Sequence, residues 1–114
     1  MERARNQTET LVDHVQASIL AQGFHNAQCA AVAEAMDLSV RTLQRRLVEC
    51  GTSFRRLLEA TRMEEALKLL AVPGLPLGTI ADQLGYSDAS ALSHAVRTHW
   101  GASPRHLREE MGAA

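Results

Sequence analysis

Six arginines fall between positions 41 and 62 (Arg41, Arg45, Arg46, Arg55, Arg56 and Arg62), against two acids, Glu49 and Glu59: a local balance of +4. A guanidinium is a flat, permanently charged fork whose donors fit phosphate oxygens and the O6 and N7 edge of guanine. Arg41, Gln44 and Arg45 stand at i, i+3 and i+4, which on a helix is one face. Glutamine contributes the amide that matches adenine. The alternative for such a face is a solvated charged stripe with no partner. One feature pulls against a polyanion as partner. The whole chain carries 12 Lys+Arg against 13 Asp+Glu, a net charge of −1. Arginine as 11 of the 12 cations carries little weight, because high-GC coding produces the same bias.

The remaining chemistry-bearing side chains form no catalytic pattern. His14, His25, His94, His99 and His106 show neither HxxxH nor HExxH spacing, and no glycine-rich phosphate loop or nucleophile elbow occurs. Neither an enzyme nor a metal centre is expected. Cys29 and Cys50 make no CxxC and no disulfide framework, so both are read as buried thiols.

The elements that must position the arginines read as all-helical, because no stretch alternates apolar and polar residues for long. With 46% hydrophobic and 22% charged residues in 114, the chain can bury a core, which excludes disorder. No apolar run approaches the roughly 20 residues that span a bilayer, and the polar start MERARNQTET is not a signal peptide; a cytoplasmic protein is expected. A first helix carries Leu11, Val15, Ile19 and Leu20 on one face and closes at Gly23. A short second helix covers about 28–36. Ser39 caps a third, Val40 to Glu49, with Val40, Leu43 and Leu47 toward the core and Gly51 at its end. A longer helix runs from Ser53 to about Leu70 and stops at Pro73-Gly74. Its apolar stripe changes side: Phe54, Leu57 and Leu58 lie nearly opposite Met63, Ala66, Leu67 and Leu70. The first half is expected to pack on the helices before it and the second half on the helices after it, the alternative being a central helix of one bundle. Pro76 opens a fifth helix at its first turn, a sixth runs from Asp88 to about His99, and Ser103-Pro104 starts a last one carrying Leu107 and Met111.

Residues 33–39, AEAMDLS, echo residues 81–87, ADQLGYS, at a constant offset of 48. Each copy has a small alanine for a close helix crossing and a large apolar residue before the turn. Asp37 or Gly85 follows where positive φ is tolerated, then a serine that can cap the next helix. This is the recipe of a helix-turn-helix, present twice around one connecting helix.

On these two segments, AAVAEAMDLSVRTLQRRLVECGTSFRRLLEATRMEEALKLL and LGTIADQLGYSDASALSHAVRTHWGASPRHLR, the chain resembles the DNA-binding domain of the AraC/XylS family of bacterial transcription regulators over about residues 10–108. The resemblance implies an all-α fold of about seven helices: two helix-turn-helix subdomains, about 28–50 and 76–100, joined by a helix at about 53–70. Residues 1–7 are then linker or added residues. It implies two recognition helices entering successive major-groove segments, a site of about 20 base pairs, and binding even by a monomer. Arg41, Gln44 and Arg45 of the first helix, and Ala89, Ser90, Ser93 and His94 of the second, would face base edges, with Leu92 and Val96 turned inward. Phosphates would be met at the helix starts Thr52-Ser53 and Ser103-Pro104 and by Arg46, Arg55, Arg56 and Arg97. Arg62 is balanced between ionic support and a structural bridge. Many members carry a basic residue where His94 stands and an aromatic one where Leu92 or Val96 stands, so the first module is expected to anchor specificity.

Double-stranded DNA and RNA polymerase are the implied partners, without membrane or cofactor, in the cytoplasm at the nucleoid. Most members also carry a sensing and dimerisation domain. The chain reads as an excised C-terminal domain, the alternative being a small free-standing regulator; an effector would act only through a domain absent from it. The rival from a different class is a helical protein-interaction module, for which the −1 net charge would be natural.

Overall fold

The computed structural model describes the backbone of residues 2–112 and the side chains of residues 10–112. Seven helices and no strand occur among these residues: α1 (Glu2–Gln22), α2 (Cys29–Ala35), α3 (Val40–Glu49), α4 (Phe54–Leu70), α5 (Leu77–Leu84), α6 (Ala89–Trp100) and α7 (Pro104–Glu110). The stretch 2–7, read as linker, is already helical in its backbone. The chain divides into two units between Thr61 and Arg62, inside α4. That division falls where the apolar stripe of α4 changes side, as the spacing predicts, rather than leaving α4 at the centre of one bundle.

The first unit buries Val15 and Ile19 of α1, Phe24 and Ala27, Val32 and Ala33 of α2, Leu43 and Leu47 of α3, and Leu57 of α4. Contacts run from α1 to α2 and from α2 to α3. Leu20, expected on the core face of α1, is 47% exposed. It follows Ile19 by one residue, about 100° around the helix, and so leaves the stripe that Val15 and Ile19 define. Gly23 ends α1 at φ +82, its N–H donating to Ile19 O at 3.0 Å. Cys29 and Cys50 are free and half-buried rather than buried. Burial still pushes the Cys29 thiol up from its ordinary value.

The second unit buries Met63, Ala66 and Leu70 of α4, Ile80, Ala81 and Leu84 of α5, and Leu92 and Val96 of α6, with Pro104 at the start of α7. Contacts run from α5 to α6 and from α6 to α7. Three long-range donors tie backbone carbonyls of this unit together. Arg108 Nε and a terminal guanidinium nitrogen donate to Leu70 O (2.9 Å) and Leu75 O (2.8 Å), Trp100 Nε1 to Met63 O (3.2 Å), and Arg62 Nε to Leu84 O (3.0 Å). Arg62 also lies 5.3 Å from the Tyr86 ring centre. Its guanidinium therefore has a structural use within the second unit, at the C-terminal end of α5, a role distinct from the bridge between lobes expected of Arg62.

Pro76 is the residue before α5 rather than its first turn: its ψ of 144° is extended, and Ile80 N–H donates to its carbonyl at 3.1 Å. Met111, expected on the last helix, follows its end and is 41% exposed. Among the described residues, no helix is long and apolar enough to cross a membrane.

Candidate nucleic-acid interface

The repeat seen in the sequence is a repeat of backbone geometry. Asp37 takes φ +59 and Gly85 φ +85, so the chain turns through the left-handed region at equivalent places. In the first copy Leu38 N–H donates to Ala33 O at 2.9 Å; in the second Tyr86 N–H donates to Ala81 O at 2.9 Å. Both alanines are buried, at 1% and 0% exposure, which is what a close helix crossing requires of a small side chain. Asp37 is the only non-glycine with positive φ among the described residues, a position its short polar side chain tolerates better than most.

The copies differ at the cap. Ser39 caps α3, its Oγ accepting from Thr42 N–H at 3.0 Å. In the second copy the expected cap, Ser87, is passed over and Asp88 takes the role, Oδ1 accepting from Ala91 N–H at 2.8 Å. Serine and aspartate cap about equally well; the turns are equally long, but the cap follows the left-handed residue by three positions here (Gly85 to Asp88) and by two in the first copy (Asp37 to Ser39).

On α3 at about 100° per residue, Arg41, Gln44 and Arg45 span about 100° of arc, and the buried Leu43 and Leu47 centre roughly 130° away. All three polar residues are exposed. Val40, assigned to the core by periodicity, lies at the edge of the buried stripe in the first turn and is 37% exposed. Val48 falls on the same face as Arg41, Gln44 and Arg45, one turn beyond Gln44, and is 70% exposed. No sequence signal singled it out. With three arginines against Glu49, α3 carries a balance of +2.

The second candidate face also assembles. Ser90 and His94 are exposed, Ala89 and Ser93 half-buried, and these four with Arg97 line one shallow depression of about 380 Å3. Leu92 and Val96 are fully buried, turned inward as expected. The charge here is thinner: the Asp88 carboxylate at the start of α6 offsets Arg97, so this helix with its cap is neutral when its histidines are neutral.

Among the described residues, Arg41, Arg45, Arg46, Arg55, Arg56 and Arg97 have no ion-pair partner; side-chain ion pairs elsewhere include Lys68 with Glu65 (3.2 Å) and His106 with Glu110 (3.5 Å). Those six arginine side chains are exposed. Arg46 lies about 100° or more around α3 from Arg45 and Arg41, off the stripe that those residues and Gln44 form. At the other positions assigned to phosphate, Ser53 Oγ accepts from Arg56 N–H (3.2 Å) and Ser103 Oγ from His106 N–H (3.1 Å). Each hydroxyl keeps its hydrogen to donate. Thr52 is half-buried beside Ser53, its N–H donating to Leu47 O at 2.9 Å. No group of three or more histidine, cysteine or acidic residues arranged to hold a metal occurs among the described residues.

A family model described as a helix-turn-helix domain, of AraC type, matches residues 32–110. The chain belongs to the AraC-type helix-turn-helix family. This family consists of transcriptional regulators, not enzymes. Curated relatives include the HTH-type transcriptional regulator VirS of Mycobacterium tuberculosis, 43% identical over 89 residues, which are 76% of this chain and 26% of that protein. GadX of Escherichia coli is 31% identical over 75% of this chain and 31% of its own length. The chain thus spans about a quarter to a third of the length of those relatives. Among solved structures, a DNA-binding transcriptional dual regulator of Escherichia coli K-12 superposes with a TM-score of 0.84 at 26% identity, covering 91% of this chain and 94% of that one. The C-terminal domain of AraT, a response regulator of Geobacillus stearothermophilus, gives 0.71 at 30% identity, over 90% and 84%. An AraC-type regulator of Chromobacterium violaceum shares the fold, with a TM-score of 0.80. None of these relatives supports the rival class, a protein-interaction module.

Proposed function

We propose that this AraC-type domain binds double-stranded DNA in a sequence-specific manner, with α3 and α6 in successive major-groove segments, and so regulates transcription. The observation that carries the reading is the exposed face of α3, where Arg41, Gln44 and Arg45 stand together and neither arginine has an ion-pair partner among the described residues. Arg41 and Arg45 donate bidentately to guanine O6 and N7 and Gln44 pairs with adenine, each such contact discriminating by about 1–3 kcal/mol. Ala89, Ser90, Ser93 and His94 form the second reading face. Arg46, Arg55, Arg56, Arg97, Thr52, Ser53 and Ser103 hold the phosphates.

The first module dominates specificity, because α3 carries a balance of +2 where α6 and its cap set one arginine, Arg97, against one aspartate, Asp88. RNA polymerase is the second partner and effector control resides outside this segment, a division of labour supported by relatives named as transcriptional regulators, of which this segment covers 26% and 31%. The protein would act in the cytoplasm, at the nucleoid. Selection of binding sites from random duplexes tests the reading. The expected outcome is a site of about 20 base pairs with two informative blocks one helical turn apart. Recovery of unenriched sequence, with affinity flat from low to physiological salt, would refute it.

A further inference from the structure

Val48 is the odd member of the α3 face. It stands at i+7 from Arg41, i+4 from Gln44 and i+3 from Arg45, within the arc those residues define. At 70% it is the most exposed of the large hydrophobic side chains among the described residues, whereas Leu43 and Leu47 of the same helix are 0% exposed. The helix has therefore already met its core requirement, and Val48 adds nothing to it. A β-branched residue is also a poorer helix former than the long polar residues an exposed site would otherwise hold. An apolar branched side chain within a row of hydrogen-bonding ones has one complementary feature in the major groove, the C5-methyl of thymine.

We infer that Val48 is a specificity-determining residue that packs against a thymine C5-methyl group, one turn along α3 from the base pair read by Gln44. The inference rests on the DNA-binding function proposed above. It makes the α3 reading four residues wide, with three polar contacts and one apolar contact. Because the contact is to a single methyl group, the discrimination it supplies is about fourfold rather than the larger factors of a bidentate pair.

Replacing thymines one at a time by deoxyuridine in the selected duplex removes only that methyl, and fluorescence anisotropy gives the affinity of each duplex. The wild-type domain should lose about fourfold at one thymine of the first block. Val48→Ala should bind the all-thymine duplex several-fold more weakly and should no longer distinguish thymine from deoxyuridine there. Val48→Thr, which keeps one methyl, should retain part of the discrimination. Circular dichroism should show all three proteins equally folded, since the side chain is exposed. Equal sensitivity to every deoxyuridine in wild type and Val48→Ala, in a protein that still binds its site specifically, would overturn the assignment. Absence of any preferred duplex for wild type would instead overturn the functional reading beneath it.

Discussion

Replacing Arg45 by alanine removes a side chain that is exposed and has no ion-pair partner among the described residues, so folding stability should move by no more than about 0.5 kcal/mol. Binding should change far more. A bidentate arginine–guanine contact is worth about 1–3 kcal/mol, which is a loss of about 5- to 150-fold in affinity. The loss should be confined to the preferred duplex, with tolerance relaxed at one base pair. Arg56→Ala offers the contrast. Removing a phosphate-binding guanidinium there should weaken binding to every sequence alike and reduce the slope of log affinity against log salt by about 0.9. His94→Ala, losing at most one hydrogen bond, should cost about 0.5–1.5 kcal/mol, or about 2- to 10-fold. Anisotropy titrations of the three variants on preferred and scrambled duplexes at several salt concentrations measure all of this. A greater loss for His94→Ala than for Arg45→Ala would refute the ranking of the modules. A uniform loss across sequences for Arg45→Ala would move that residue from base edge to phosphate.

Asp88→Asn keeps a competent cap on α6 but removes a negative charge at the start of that helix, so melting should shift little while low-salt affinity for any duplex rises about two- to fivefold; weaker binding in the same titration would mean the carboxylate accepts a bond from a base. Arg108→Ala breaks two charge-assisted bonds to Leu70 O and Leu75 O and should destabilise the second unit by about 2–3 kcal/mol in denaturant unfolding. Arg108→Lys, lacking the fork, should not restore it; full rescue by lysine would show that charge alone suffices. Burial holds the Cys29 thiol above its ordinary value, so less thiolate is present at neutral pH, and Cys29 should alkylate more slowly with iodoacetamide than an unstructured cysteine peptide. Peptide-like kinetics followed by mass spectrometry would contradict that.

The features legible in the sequence were those set by short-range rules. Asp37 and Gly85 marked left-handed turns because few other residue types adopt positive φ. Ser39, Ser53 and Ser103 marked helix starts, and the stripe reversal in α4 marked the boundary that falls between Thr61 and Arg62. Two kinds of information were not local. Periodicity assigns a residue to a face but not to a depth, so it sets Val40 with the core residues and leaves Val48 unmarked, while Leu20 stands about 100° off the stripe of Val15 and Ile19. Hydrogen bonds spanning 22 to 38 positions, from Arg62, Trp100 and Arg108 to backbone carbonyls, leave no periodic trace at all. The α6 cap lies at Asp88 rather than Ser87, two residues of equal capping strength, with one more residue between the left-handed Gly85 and its cap than between Asp37 and Ser39.

Protection of guanine N7 from dimethyl sulfate reports the major groove directly, and a footprint of the domain on its selected duplex tests the pairing of α3 and α6 most directly. Two protected patches about ten base pairs apart on one face are predicted, with Arg45→Ala clearing only the patch under α3. A single patch of protected guanine N7, or protection only at adenine N3 in the minor groove, would contradict it.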